Sequence, residues 1–78
     1  MNDLVWDRRM LGVFTALAFL SEEETAVLKD WAAGKSIVHT ALFCHMSERK
    51  VNDIRKRIRV KYDRIQPYAD LPKRNTRP

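Results

Sequence analysis

The amino-acid sequence predicts an all-α fold, and three observations lead to that prediction. Apolar residues recur at spacings of three and four through most of the chain, which is the period of an amphipathic helix. The 78 residues include only two glycines and three prolines, so long stretches are free of helix breakers. No segment alternates apolar and polar residues as a half-buried strand does. We expect one small domain of four helices over residues 1–78, near the lower size limit for a self-supporting core.

Residues 4–19 form the first predicted helix, for which Asp3 is a suitable N-cap. Its apolar side chains lie on more than one side, whereas a surface helix normally has a single apolar face. Either the rest of the domain buries this helix, or part of its surface pairs with a second copy of the chain. The second interpretation predicts a homodimer. The residues assigned to that interface are Trp6, Met10, Leu11 and Phe14.

A capping box marks the start of the second predicted helix. Ser21 and Glu24 have the spacing at which each side chain bonds the other residue's backbone N–H. Three consecutive glutamates there also suit the helix dipole, so we interpret them as helix-start residues and not as catalytic acids. The helix is expected to stop at Gly34, a typical residue after a helix C-terminus.

A short helix, a tight connection and a long helix follow. Ser36 is the predicted N-cap of the short helix over residues 37–43, and residues 44–46 form the connection. Ser47 is the predicted N-cap of the long helix. This order predicts a helix-turn-helix within a core that spans residues 20–66.

The long helix, residues 47–65, has one apolar stripe and otherwise charged faces. The stripe contains Val51, Ile54, Ile58, Tyr62 and Ile65. Such a helix can pack on a small core through the stripe while its cationic faces remain available to a polyanion. Pro67 is predicted to end it, because proline clashes with helical continuation.

Residues 67–78 form the predicted C-terminal tail, which shows no periodicity. Tyr68 and Leu71 are candidates to fold back onto the core. The basic residues of the tail are Lys73, Arg74 and Arg77. They are interpreted either as contacts along a nucleic-acid groove or as solubilising charges.

Charge is distributed unevenly along the chain. Residues 1–46 hold 4 basic and 6 acidic residues, net −2, whereas residues 47–78 hold 11 basic and 4 acidic residues, net +7. This asymmetry predicts a polyanionic partner for the C-terminal half, with nucleic acid ahead of an anionic membrane or an acidic protein. The apolar segment 11–20 is too short to span a bilayer, although it loosely resembles the core of a signal peptide.

Cysteine and histidine usage argues against catalytic and metal chemistry. The single Cys44 cannot form an internal disulfide, which predicts a cytoplasmic protein. His39, Cys44 and His45 lack the spacing of a zinc site, and there is no glycine-rich phosphate loop. We therefore expect no enzyme activity, no metal and no cofactor, and we interpret Cys44 as a structural residue.

The middle of the chain matches a known pattern without a gap. The matching residues are Leu20, Ser21, Glu24, Val27, Leu28, Ala32, Gly34, Ser36, Ala41, Ser47 and Val51. On these residues, the segment 20–61 resembles the helix-turn-helix shared by LuxR-type transcription regulators and region four of bacterial sigma factors. The overall size resembles small, stand-alone regulators of phages and prophages.

The departures from the family pattern also carry information. Thr40 stands where an aliphatic residue normally packs, and Cys44 replaces a leucine. His45 occupies the turn position, which is glycine in many such proteins, and histidine tolerates positive φ better than most residues. The dimerising fourth helix of the LuxR type has no evident counterpart after Pro67.

The resemblance implies base contacts from the positions of Asn52, Asp53 and Lys56, and a phosphate contact from Lys50. These side chains are also predicted to lie opposite the apolar stripe, near the helix end that enters the major groove. Asn52 can pair with adenine, Lys56 can donate to guanine, and Asp53 can accept from cytosine. Alternatively, Asp53 pairs with basic neighbours on its own helix.

Phosphate contacts are expected from basic or hydroxyl side chains on the same side of the domain. These candidates are Lys35, Ser36, Ser47, Arg49, Lys50, Arg55, Arg57 and Arg59. The sequence thus predicts a DNA-binding transcription regulator whose partners are double-stranded DNA, a second copy and, less directly, RNA polymerase. One alternative is a protein-interaction module that binds RNA polymerase or a sigma factor through the first helix. The other, a membrane-surface protein, fits poorly with the acidic capping box.

Overall fold

A computed structural model describes residues 6–72 as four α-helices, with no strand in that range. The helices are α1 (Arg8–Leu17), α2 (Glu22–Ala32), α3 (Ile37–Phe43) and α4 (Glu48–Ala69). The all-α prediction is therefore confirmed. The predicted cap Asp3, the start of the first predicted helix and the basic tail Lys73, Arg74 and Arg77 lie outside the described residues.

The first helix is shorter than predicted. It begins at Arg8, because the Asp7 carboxylate accepts a hydrogen bond from the backbone N–H of Met10 at 2.8 Å and so acts as the N-cap. Trp6 precedes the helix and packs, partly buried, against the core. The helix ends before Phe19, which has a positive φ of 39°.

The second and third helices match their predicted limits. Both halves of the capping box at the start of α2 are present, between Ser21 and Glu24. Gly34 follows α2 with φ of 84°, a conformation that glycine adopts without strain. The Ser36 hydroxyl accepts from the backbone N–H of His39 at 3.1 Å and caps α3. Local hydrogen-bonding chemistry thus fixes these boundaries.

The prediction that Pro67 ends the fourth helix is wrong, because Pro67 lies inside its last turn. Proline in a last turn removes the bond to the carbonyl four residues earlier and crowds that carbonyl, but only one further turn depends on it. The end is stabilised just beyond it. Asp70 adopts the left-handed conformation and its N–H donates to the Gln66 carbonyl, while the Gln66 side chain donates to the Leu71 carbonyl at 2.7 Å.

Of the two residues predicted to fold back onto the core, Leu71 does so and Tyr68 does not. Leu71 is buried in the core, as predicted. Tyr68 is 90% exposed, so the prediction that it folds back is wrong, because the continued helix turns it towards solvent. The hydroxyl of the buried Tyr62 donates to the Pro72 carbonyl and anchors the segment after α4.

The core lies where α1, α2 and α3 pack against α4. The residues with side chains almost wholly excluded from solvent are Phe14, Val27, Leu28, Thr40, Val51, Ile54, Ile58 and Tyr62. Four aromatic rings meet at its centre. The Trp6 ring lies 5.2 Å from Phe14, 5.7 Å from Trp31 and 5.7 Å from Tyr62, between ring centroids. Aromatic pairs at such distances add to the stabilisation from burial.

Two of the four residues assigned to a dimer interface are unavailable to a second copy of the chain. Met10 and Phe14 are buried in the core of their own chain, and Trp6 and Leu11 pack partly buried against that core. Burial within one chain therefore accounts for Met10 and Phe14, whereas Leu17 at the end of α1 is 47% exposed. A homodimer and binding of RNA polymerase through the first helix stay predictions.

Candidate nucleic-acid interface

The turn between α3 and α4 fixes where the fourth helix begins. His45 adopts φ of 56°, as expected for its position, and the backbone N–H of Met46 donates to the Ala41 carbonyl at 2.8 Å. The Ser47 hydroxyl then accepts from the backbone N–H of Lys50 at 3.1 Å. The start of α4 is thus held against α3 by backbone bonds and a side-chain cap.

The buried stripe of α4 determines which side chains face outwards. Val51, Ile54, Ile58 and Tyr62 have no exposed surface, so the opposite side of the helix faces solvent. The exposed residues on that side of the first three turns are Arg49, Asn52, Asp53 and Lys56. They recur at spacings of three and four residues and therefore share one helix face. The structure brings the three predicted base-contacting residues together on this face.

The predicted phosphate contacts are scattered around that face. Lys35, Ser36, Ser47, Arg49, Lys50 and Arg57 are all exposed. Two of them already have acidic partners on α2: Lys50 Nζ lies 2.7 Å from a Glu23 carboxylate oxygen, and Arg57 lies 3.7 Å from Glu24. The Lys50–Glu23 pair is about half exposed on both sides, and such pairs contribute little to stability, so Lys50 can exchange Glu23 for another anion.

Arg55 is buried, which corrects its assignment as a phosphate contact. Its side chain is 7% exposed, its guanidinium carbon lies 4.6 Å from the centre of the Trp31 ring, and it donates to the Lys35 carbonyl at 3.2 Å. Arg59 is partly buried, with its guanidinium 5.3 Å from the same ring. Arg55 therefore joins α4 to the end of α2, because its planar cation satisfies a carbonyl and stacks on an aromatic face.

Glu24 is buried and connects the start of α2 to the middle of α4. One carboxylate oxygen accepts from the Ser21 backbone N–H at 3.1 Å and from Lys61 Nζ at 2.6 Å. Burial raises the pKa of Glu24, but the hydrogen bonds from Lys61 and Ser21 and the nearby charges of Lys61 and Arg57 outweigh it, so the pKa lies below its usual value. The capping-box residue thus also positions the helix that carries the candidate site.

A polar network accounts for a threonine at position 40, where an aliphatic residue was expected. Thr40 is wholly buried, and its hydroxyl donates to an Asp30 carboxylate oxygen at 2.5 Å. His39 Nδ1 lies 2.9 Å from the same oxygen. Burial raises the pKa of Asp30, but these two hydrogen bonds and the charges of His39 and Lys35 lower it further than burial raises it. The sequence reasoning missed Asp30, although a threonine at an apolar position signals that a buried partner is needed.

Neither a membrane-spanning helix nor a metal-binding cluster is found within residues 6–72. No helix in that range combines the length and apolar character needed to cross a bilayer. No three histidine, cysteine, aspartate or glutamate side chains in the described part of the chain converge as metal ligands. Cys44 is only half-buried, at the position where the resemblance implied a buried residue.

No protein-family model, curated protein or solved structure matches this chain. The functional interpretation therefore depends on the exposed face of α4 and on the contacts that hold it in place. That face combines an amide, a carboxylate and two cations over roughly two helical turns. Such a set can donate to and accept from the edges of DNA bases in a groove wide enough for a helix.

Proposed function

We propose that the protein is a sequence-specific DNA-binding transcription regulator. In this proposal α3, the turn at residues 44–47 and α4 form a helix-turn-helix, and the first three turns of α4 enter the major groove. The observation that carries the proposal is the exposed face of Arg49, Asn52, Asp53 and Lys56 on a helix whose opposite face is wholly buried. A rigidly held polar helix face is what base reading requires.

Each base-reading role follows from the chemistry of the side chain. The Asn52 amide has the donor and acceptor needed for a bidentate pair with adenine. The Lys56 ammonium group donates to the acceptors of guanine. Asp53 accepts from the amino group of cytosine or pairs along its own helix, and both roles remain part of the proposal.

Phosphate contacts come from the exposed cations that flank this face. Arg49, Lys50 and Arg57 lie on α4, and Lys35 lies in the segment before α3. Phosphates would replace Glu23 and Glu24 as the partners of Lys50 and Arg57. The net charge of +7 over residues 47–78 supports this arrangement, since phosphate neutralisation supplies much of DNA affinity.

The resemblance to the LuxR-type and sigma region-four helix-turn-helix is part of the same proposal. Gly34 and His45 both have positive φ at the positions where the family pattern places turns. The hydroxyls of Ser36 and Ser47 cap the helices that the pattern assigns to the motif. These turn conformations and helix caps are local features that the family pattern also has, and they support the proposed family assignment.

Selection of bound fragments from random DNA, followed by a salt series on the winning sequence, tests the proposal. A preferred sequence should emerge, and its advantage over random DNA should persist as salt weakens both affinities. Lys56→Ala should relax selectivity at one base pair by about 1–3 kcal/mol. Lys29→Ala, an exposed charge change on α2, is the matched control and should leave selectivity unchanged.

Two results would contradict this proposal. One is the absence of any enriched sequence, with affinity that falls uniformly with salt. The other is that a sequence is enriched, but Lys56→Ala and Asn52→Ala select it as strongly as the wild type does. The first result would indicate binding through charge alone. The second would place base reading elsewhere on the protein.

A further inference from the structure

A second charged surface lies on the flank of α4 that faces the end of α1. Two adjacent clefts, of about 280 and 260 Å³, share Lys61 and Arg64 as lining residues. We refer to them together as the cationic cleft. Its other cations are Lys56 and Arg57, and its apolar lining includes Leu17, Phe19 and Val60. The surface therefore combines positive charge with exposed apolar side chains.

The positive charge of the cationic cleft is only partly neutralised. Lys61 and Arg57 share one carboxylate, that of Glu24. Lys56 and Arg64 make no ion pair with a carboxylate within residues 6–72. Among the lining residues and their ion-pair partners, four cations face one carboxylate. Such a surface is complementary to a partner that carries several negative charges.

Phe19 is an unusual apolar residue at the edge of this cleft. It is 94% exposed, and its φ of 39° lies in the left-handed region that asparagine and glycine adopt more readily. Neither local conformation nor packing within residues 6–72 accounts for a phenylalanine there. Leu17 is also exposed, and the two side chains form an apolar edge beside the cations.

The cationic cleft shares Lys56 and Arg57 with the surface proposed to contact DNA, and its remaining lining residues lie beyond that surface. Arg64 follows Asn52 by twelve residues, which corresponds to roughly 18 Å along a helix axis. Lys61 points away from the face proposed to read bases, since its ammonium group donates to Glu24 and to the Phe19 carbonyl at 3.3 Å. DNA phosphates would use the cations but not the apolar edge.

We propose that the cationic cleft binds an acidic amphipathic segment of a partner protein. A carboxylate of that segment would pair with Arg64, while an aliphatic or aromatic side chain would pack against Phe19 and Leu17. Acidic segments are commonly held by clusters of basic residues, and a neighbouring apolar contact adds to the affinity. This interaction goes beyond DNA binding, because it gives the proposed regulator an adjacent surface for a protein partner, centred on Arg64 and Phe19.

The test uses the full chain, labelled with ¹⁵N, and a synthetic peptide that alternates glutamate with leucine and phenylalanine. Amide shifts should change around Leu17, Phe19, Lys61 and Arg64 and not over residues 49–53. A peptide with glutamine in place of glutamate, and another with serine in place of leucine and phenylalanine, should each bind more weakly. This double requirement distinguishes the cleft from a purely electrostatic surface.

Two variants with a matched control test the residues. Arg64→Gln should weaken peptide binding about two- to fivefold, the effect of losing an exposed ion pair. Phe19→Asn should weaken it about five- to tenfold through lost apolar contact, and its Tm should not fall, since asparagine suits the positive φ. Arg9→Gln changes an exposed charge on α1 away from the cleft and should leave peptide affinity unchanged.

Four outcomes would overturn the proposal. The glutamine peptide could bind as well as the acidic one, or the shifts could map to residues 49–53. Arg64→Gln could lower DNA affinity while no peptide binds, which would make the cleft a phosphate contact. Binding of phosphatidylglycerol vesicles through the same residues, without a peptide response, would identify a membrane surface. If the wild type shows no sequence-specific DNA binding, that result contradicts the proposed function. The peptide result is then unaffected.

Discussion

Replacing Glu24 by glutamine tests whether one buried carboxylate joins α2 to α4. Its side chain is 4% exposed, and the same oxygen accepts from the Ser21 backbone N–H and from Lys61. Arg57 lies 3.7 Å from the other oxygen. Glutamine retains an acceptor for Ser21 but removes the negative charge between the two cations. The variant therefore isolates the ionic contribution from the helix cap.

The expected loss follows from these contacts. A hydrogen bond to a charged group contributes about 1.5–3 kcal/mol. The Lys61 side chain is 31% exposed, so water recovers part of its interaction when the carboxylate is removed. We expect Glu24→Gln to lower the free energy of unfolding by about 1–2 kcal/mol at pH 7. Glu24→Ala also removes the cap, which adds about 1 kcal/mol to the loss.

The pH dependence provides an independent check. Because the folded-state pKa of Glu24 is lowered, the wild type gains stability from this group at pH values above the usual glutamate pKa. That gain is lost as the pH falls through the lowered folded-state pKa, where the carboxylate takes up a proton. The stability difference between the wild type and Glu24→Gln should therefore be largest at neutral pH and shrink towards acid pH.

Urea unfolding followed by tryptophan fluorescence measures both effects, with Trp6 and Trp31 as core reporters. Glu22→Gln is the matched control, since Glu22 is exposed in the same first turn and contributes through the helix dipole, about 0.5 kcal/mol. Equal losses in the two variants would refute the inter-helix role of Glu24. A difference that stays constant from pH 7 into the acid range would refute the ionic origin of the stabilisation.

Two further predictions concern the corrected residues. Phe14→Ala should lower the free energy of unfolding by about 3–5 kcal/mol, because its ring is wholly buried. Urea unfolding measures this loss. A variant that keeps its stability and changes only its sedimentation would support the dimer interpretation. Arg55→Lys should cost about 1–3 kcal/mol, since lysine cannot both stack on Trp31 and reach the Lys35 carbonyl. Arg49→Lys, an exposed control, should be neutral in the same assay. Unchanged stability with weaker DNA binding in Arg55→Lys would restore its assignment as a phosphate contact.

Helix starts and turns were predictable from the sequence because they depend on neighbouring residues. The hydroxyls of Ser21, Ser36 and Ser47 bond backbone N–H groups three residues away, whatever the rest of the chain does. Gly34 and His45 take up positive φ where the chain must reverse. The outward position of Asn52 and Lys56 also followed from the sequence, since the apolar stripe of α4 fixes the opposite side.

The remaining features depended on residues far apart in the sequence. Pro67 stays helical because Gln66 and Leu71 stabilise the turn beyond it. Whether Phe14 faced the core or a second copy was decided by the rings of Trp6 and Tyr62 beside it. A helical pattern shows which side chains are apolar but not which partner covers them.

The sequence by itself determined four helix-forming segments, their caps and a polar face on the fourth helix. Only the tertiary structure decided the roles of the charged residues around that face. Arg55 and Arg49 look alike in the sequence, yet the first is buried against Trp31 and the second is exposed. The physical reason is that a charged side chain enters a core only where a distant carbonyl, ring or opposite charge receives it, and the packing of the helices supplies that partner.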